Sequence, residues 1–371
     1  MDALESGDVM PAQLLSQRQV RFWILTFAGF FLALYVLRDV LLPFVAGLAV
    51  AYLLDPVADR LERFGLSRLA ATLLMIGLFV LAVLLAAVTL LPVLATQTTA
   101  FLAKLPTYAH ELQAMVQRYV PSLLEKIGDG AQQPDIQKWF GEIAGKAATW
   151  LGTVLQTLLS GGKAVIDVFS LLLVTPVVAF YVLVDWDRMI ERIDSWLPRR
   201  QLGTIRAIAS DIDSAIAGYV RGQSMICLAL ATIYGVGLTI VGLNYGLLIG
   251  IGAGILSFIP FVGSLGGLII ALAVALVQFL PNYMPIAAVV AVFAVGQFLE
   301  GNILSPKLVG NAVGLHPVWL MFALFAFGTL AGFVGLLVAV PIAAAIGVLA
   351  RHFLGLYLAS PYFGDMTSGE P

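Results

Sequence analysis

Charge is scarce in this sequence. Of 371 residues only 11% are Asp, Glu, Lys or Arg, and they nearly cancel to a net −2. A soluble domain carries about 25% charged residues. No basic field is available to gather nucleic acid, so no nucleic-acid partner is expected. Cysteine is almost missing. Cys227 alone permits neither an internal disulfide nor a thiolate metal site. His110, His316 and His352 are too scattered for a metal centre. Walker A, HExxH and GxSxG patterns are all absent, which removes nucleotide motors, metalloproteases and serine hydrolases from consideration. Neither enzymatic activity nor a cofactor is expected. The first 17 residues are polar and acidic, so no cleavable signal peptide is expected either.

Apolar side chains are what the sequence has in excess: 60% of residues are hydrophobic and the mean hydropathy is +0.98. A soluble core of this length cannot hide that much, so lipid must solvate part of it. Runs long enough to cross a bilayer fall near 22–37, 40–54, 70–92, 165–184, 223–242, 246–280, 284–301 and 318–350. Their length and lack of two-residue alternation select helices over a barrel. The expected fold is therefore an all-α polytopic membrane protein with about eight membrane segments.

The remaining stretches organise around these runs. A tail over 1–21 precedes three membrane segments within 22–92. An extracytoplasmic helical segment over 93–164 and a membrane segment over 165–184 follow. An amphipathic helical segment over 185–222 leads into a core over 223–350, and a tail over 351–371 ends the chain. Within 93–164, the stretches 106–122 and 134–158 place apolar residues at helical spacing, which predicts a small helical cap or, alternatively, a lid. Ile205, Ile208, Ile212, Ile216 and Tyr219 form a similar stripe that predicts packing on the membrane core. Arg60, Arg63 and Arg68 in one loop, and Arg188, Arg192, Arg199, Arg200, Arg206 and Arg221 in another, place both loops and both termini in the cytoplasm.

Two runs are too long for one crossing. As a single helix, 246–280 would extend about 50 Å, against a hydrocarbon core of about 30 Å. FIPFVGSLGG (258–267) interrupts it, since Pro260 lacks an N–H and Gly263, Gly266 and Gly267 loosen a helix. Gly328, Gly332 and Gly335 interrupt 318–350, with Pro341 beyond. Re-entrant hairpins solve both cases, and span-plus-hairpin then occurs twice with opposite orientation, as in the inverted repeats of secondary transporters. Eight ordinary spans, two of them kinked, are the alternative.

Glu300 leads the candidate pathway residues. It closes the apolar stretch PIAAVVAVFAVGQFLE, and an intramembrane acid costs about 2.5–3.5 kcal/mol unless it faces a cavity or a partner. Gln297 lies one turn before it; Asn302 and Lys307 follow it, and an interfacial Glu300–Lys307 ion pair is the plain alternative. Around the first break, Ser257, Ser264, Asn244 and Gln278 are polar groups in an apolar field. With the bare backbone near Pro260 and Gly263 they are candidates for holding a polar solute or ion, unless the serines satisfy their own helix carbonyls. Gly246, Gly250 and Gly254 make a face for close helix approach, within the chain or between subunits.

At these motifs the chain resembles the autoinducer-2 exporter family of bacterial membrane proteins. The matching stretches are PFVAGLAVAYLLDPV (43–57), YVRGQ (219–223), ILSFIPFVGSLGG (255–267), EGNILSPKLVG (300–310), VGLHPVW (313–319) and LLVAVPIAA (336–344), in family order across about residues 20–355. The resemblance implies an inner-membrane transporter that assembles as a homo-oligomer, with Pro260, Gly263, Glu300, Asn302, Pro306, Gly310, Pro317 and Pro341 at motif positions. The implied activity is export of a small polar solute such as autoinducer-2, driven by a proton or sodium gradient. Sodium/proton exchange is the second implied activity, and a scaffold without transport is the reading from another class. The family often has a second proline in the first break, where this chain has Phe261.

Overall fold

The computed structural model describes residues 40–127, 162–310 and 313–360, together with isolated positions between 25 and 37. The expected segment 22–37, the stretch 134–158 and both tails beyond these bounds lie outside the described residues.

Among the described residues every regular element is helical. The main helices are α1 (Leu41–Arg63), α2 (Arg68–Ile127), α3 (Gly162–Trp196), α4 (Leu202–Ile240), α5 (Gly246–Leu256), α6 (Val262–Phe279), α7 (Tyr283–Leu299) and α8 (Pro317–Leu358). A ten-residue π-helix, Glu300–Val309, continues α7. Seven of these helical stretches are long and apolar enough to cross a bilayer. The eleven residues of α5 rise only about 17 Å and are not. The chain is thus a multi-pass α-helical membrane protein.

Several ends differ from the sequence reading. The segment expected to stop at 54 runs to Arg63 with Pro56 inside it, which turns most of the expected 55–69 loop into helix. The segment expected over 70–92 continues to Ile127. That rod is about 90 Å long and runs through Pro92, Pro106 and Pro121 without a break in the helix. Apolar runs mark where lipid is, whereas helix ends depend on how the terminal backbone groups are capped.

Both long runs fold back on themselves. In the first, α5 and α6 meet at a tip over 257–261, where Phe261 takes a left-handed backbone (φ 67°). Gly263 abuts Ser257, and Gly267 abuts Ala253. At the open end the Gln278 amide donates to the Gly242 carbonyl at 2.8 Å while its oxygen accepts from the Asn244 N–H at 2.7 Å. In the second run, α8 breaks at Ala331 and Gly332 (φ 59°). A Cβ on Gly335 would strike the Phe327 carbonyl, Gly328 faces Leu336 and Gly347 faces Leu315. Arg351 then donates to the Gly314 carbonyl at 3.1 Å, closing the open end. Gly263 and Gly267 therefore allow the arms to touch, and Gly263, Gly266 and Gly267 all lie inside α6 rather than interrupting it.

Helix α4 orders the two hairpins along one axis. Gly246, Gly250 and Gly254 bring α5 against Leu238, Gly235 and Ala231 of α4; the small-residue face is used inside the chain. Val348 and Ala344 of the second hairpin pack beside Ile208, Ile212 and Ala215 near the other end of α4. The hairpins therefore enter from opposite ends of α4. Ile259, at the first tip, packs with Leu324 and Ala339 from the two arms of the second.

The outer part of α2 reaches the open end of the first hairpin. Gln97 accepts from the Leu248 N–H at 3.0 Å, capping a helix start that has no side-chain cap of its own. Phe101 packs edge-on against Tyr245 at 5.3 Å.

Candidate functional site

The YVRGQ stretch lies on α4 where the hairpin tips overlap, and four of its residues each engage a different neighbour. The Tyr219 hydroxyl donates to the Phe258 carbonyl at 2.9 Å. The Gln223 amide donates to the Ser257 carbonyl at 2.6 Å. These two bonds satisfy carbonyls that the first tip releases from its helix, and a buried carbonyl left unpaired costs about 1–3 kcal/mol. Gly222 lets the π-helix approach so closely that a Cβ would collide with the Leu308 carbonyl. Arg221 points the other way, donating to the Tyr52 carbonyl of α1 at 2.8 Å.

Between these elements lies a cavity of about 640 Å³. The first tip contributes Pro260, α4 contributes Tyr219 and Gln223, and the second hairpin contributes Leu320 and Val340. The remaining wall is the π-helix and the strap after it, including Glu300, Ser305, Pro306 and Gly310. A π-helix bonds each N–H five residues back, which widens the backbone and often marks functional positions. Gly310 ends it with φ 55° and ψ −133°, a conformation open to glycine, and donates to the Ser305 carbonyl at 2.8 Å.

The sequence candidates separate clearly. Glu300, Pro260, Pro306 and Gly310 line the cavity. Gln297 stands behind Glu300 and donates to its Oε2 at 2.6 Å. No ion pair joins Glu300 to Lys307 among the described residues; Lys307 lies on the π-helix but not in the cavity lining. Asn302 donates to the Phe298 carbonyl of its own helix at 3.0 Å. Ser257 likewise donates to the Ala253 carbonyl at 2.8 Å, and Ser264 is buried at the start of α6. Gly263 packs at the tip. Asn244 and Gln278 tie the open end of the hairpin, far from the cavity, and are structural.

Tyr219, Gln223 and Ser305 also line the cavity, and none of them is among the pathway candidates that the sequence offers. The available signal was a polar stretch, Tyr-x-Arg-x-Gln, immediately before an apolar span. Its roles depend on partners 34 to 169 residues away in sequence.

A second polar centre lies beside this one. Arg68, its side chain only 18% exposed, holds Asp59 at 2.7 Å, Asp55 at 3.0 Å and Glu62 at 3.1 Å, and donates to the Leu183 carbonyl at 2.9 Å. Asp55 also lies 3.8 Å from Arg221. The Tyr52 hydroxyl donates to Asp213 at 3.0 Å. This network connects α1, α2, α3 and α4 through charge and leaves a void of only about 40 Å³.

Comparison with known proteins agrees with a transport role. The chain is 32% identical to YrrI of Bacillus subtilis (strain 168), provisionally named a transport protein, over 86% of this chain and 88% of that one. It is 28% identical to PerM of Escherichia coli (strain K12), provisionally named a permease, over 87% and 90%. It is 25% identical to the AI-2 transport protein TqsA of Escherichia coli (strain K12), over 85% and 88%. All three are named for transport rather than catalysis. The profile of the AI-2E family transporters matches residues 24–355, and the chain belongs to that family of membrane transporters.

Proposed function

We propose that this transporter exports a small polar solute of the autoinducer-2 kind across the bacterial inner membrane, driven by the proton or sodium gradient. The carrying observation is the 640 Å³ cavity where two oppositely inserted hairpins overlap, with Glu300 the one carboxylate in its lining. That volume lies within the range of about 300–1,000 Å³ typical of small-molecule sites. Gln223, Ser305 and Tyr219 offer hydrogen-bonding partners of the kind a hydroxyl-rich solute needs. The name of the relative TqsA supports the solute class.

On this reading the partners are the bilayer, the solute and further copies of this chain, and no cofactor takes part. The arginines near Arg60 and Arg188 support cytoplasmic termini. Cation/proton exchange is the second reading, favoured by a single acidic group in an otherwise uncharged lining.

Purified protein in liposomes tests both. Solute flux should rise with an imposed pH gradient, and Glu300→Gln should remove that dependence. Sodium-driven proton movement without solute flux would favour exchange. Neither flux, with wild-type protein correctly folded, would leave the scaffold reading.

A further inference from the structure

A second cavity, of about 450 Å³, lies between α4 and the last arm of the second hairpin. Ile208 and Ala215 of α4 and Val348 of α8 give it an apolar lining. Its polar groups are Asp211 and Ser214 from α4, with Arg351 and His352 from α8.

A short strap separates this space from the 640 Å³ cavity. Val313, Gly314 and Leu315 line the larger cavity. Val313 also packs with the cluster Ala215, Ala344 and Val348, of which Ala215 and Val348 line the smaller one. The Gly314 carbonyl accepts from Arg351 at 3.1 Å, and Arg351 lines the smaller cavity as well. Leu315 rests on Gly347, one turn before Arg351 on α8. Each strap residue thus faces the larger cavity and is held from behind by α4 or α8.

That hold is slight. The Arg351 bond is the one side-chain hydrogen bond to these three residues among the described residues, and Arg351 itself is exposed. The remaining contacts are small and apolar, a valine on two alanines and a valine, and a leucine on a glycine. Gly314 has a φ of 55°, a region glycine enters without side-chain penalty, so the strap can change course there.

We propose that the 450 Å³ cavity is the cytoplasmic entry site for the transported solute, and that Val313–Leu315, latched by Arg351, is the partition between it and the Glu300 cavity. The site takes small, uncharged, hydroxyl-bearing solutes. Its lining holds one carboxylate, Asp211, and one guanidinium, Arg351, so it has no field that gathers ions of one sign. Ser214, Asp211 and Arg351 supply both donors and acceptors, whereas a bare cation needs several oxygen ligands. The site lies at the end of α4 that the inverted arrangement puts in the cytoplasm, where an exporter collects its solute.

The inference rests on the transport reading, so its test reads access rather than flux. Ser305 lines the larger cavity and not the smaller. In a Cys227→Ser background, Ser305→Cys is labelled with a small membrane-impermeant methanethiosulfonate added to inverted vesicles, which expose the cytoplasmic face. The labelling rate is read by mass spectrometry. Arg351→Gln removes the latch and should raise the rate about three- to tenfold, the worth of one hydrogen bond. Ser214→Trp fills the smaller cavity and should lower the rate by a similar factor, also in the Arg351→Gln background. Ser214 is exposed, like Arg351, so both variants leave the packed core intact. Arg188→Gln, which removes an exposed arginine paired with Asp185 on α3, should leave the rate unchanged. An unchanged rate in either Arg351→Gln or Ser214→Trp overturns the proposal. Absence of autoinducer-2 flux in liposomes, with this access pattern intact, would instead overturn the solute reading and keep the entry route.

Discussion

The Gln223 amide and the Ser257 carbonyl are joined across 34 residues of sequence by a 2.6 Å hydrogen bond. Through it the middle of α4 holds the first hairpin tip at the cavity. Gln223→Leu keeps the shape of the side chain but strands that carbonyl, at a cost of about 1–3 kcal/mol. Flux in liposomes should fall about tenfold or more while the protein still elutes as a folded species from a sizing column. Tyr219→Phe, which removes the neighbouring bond to Phe258, should act in the same direction, and the pair should be less than additive because both bonds hold one tip.

Gly222 permits contact between α4 and the π-helix. Alanine there requires the Leu308 backbone to move, and overpacking of this kind costs about 1–3 kcal/mol. Gly222→Ala should lower the melting temperature in detergent by several degrees, and Gly222→Leu should prevent accumulation of folded protein. Gly203, with open space around its Cβ position, is the control: Gly203→Ala should leave melting unchanged.

Phe261 occupies a left-handed conformation that costs a non-glycine residue about 1–2 kcal/mol. Proline, fixed near φ −65°, cannot adopt it. Phe261→Gly should preserve transport, whereas Phe261→Pro should force another tip geometry and alter flux or its solute preference in the same liposome assay. The departure from the double-proline pattern of the resembled family is thus tied to a particular backbone at the tip.

Asn244 and His316 lie at the open ends of two hairpins that pack on α4 from opposite ends, and the inverted arrangement predicts them on opposite sides of the membrane. In a Cys227→Ser background, Asn244→Cys should react with an impermeant maleimide added outside cells, and His316→Cys should react only after the membrane is opened. Eight ordinary spans would place residue 316 outside, so external labelling there would refute the inverted arrangement.

Much of the architecture was legible from the residues. Scarce charge and long apolar runs determined a helical membrane protein, and excess length with Pro260 and Gly332 pointed to two re-entrant hairpins while leaving two kinked spans as the alternative. Glu300 was legible because an acid at the end of a long apolar helix is costly enough to need a role. The locations of helix ends were less legible. The 60-residue rod of α2 continues through Pro92, Pro106 and Pro121, and α1 continues past Pro56; both extend where hydropathy falls, which a hydropathy reading does not detect.

The structural roles of Asn244 and Gln278 were out of reach for a different reason. A glutamine in an apolar helix looks the same whether it meets a solute or ties a neighbouring backbone; only the 2.7 Å contact between them distinguishes the two. Tyr219 and Gln223 present the converse case: Tyr219 ends the apolar stripe of α4, but that periodicity predicts packing and does not announce the carbonyls that both side chains meet at the first hairpin tip.

Composition and run length act locally and additively, so the sequence by itself determined the membrane and the helices, and left hairpins and kinked spans as alternatives for the two long runs. Where the cavity lies, which polar side chains line it and which merely secure a hairpin depended on contacts between distant helices. Those contacts follow from close packing of glycine faces against α4, and only the tertiary structure decides them.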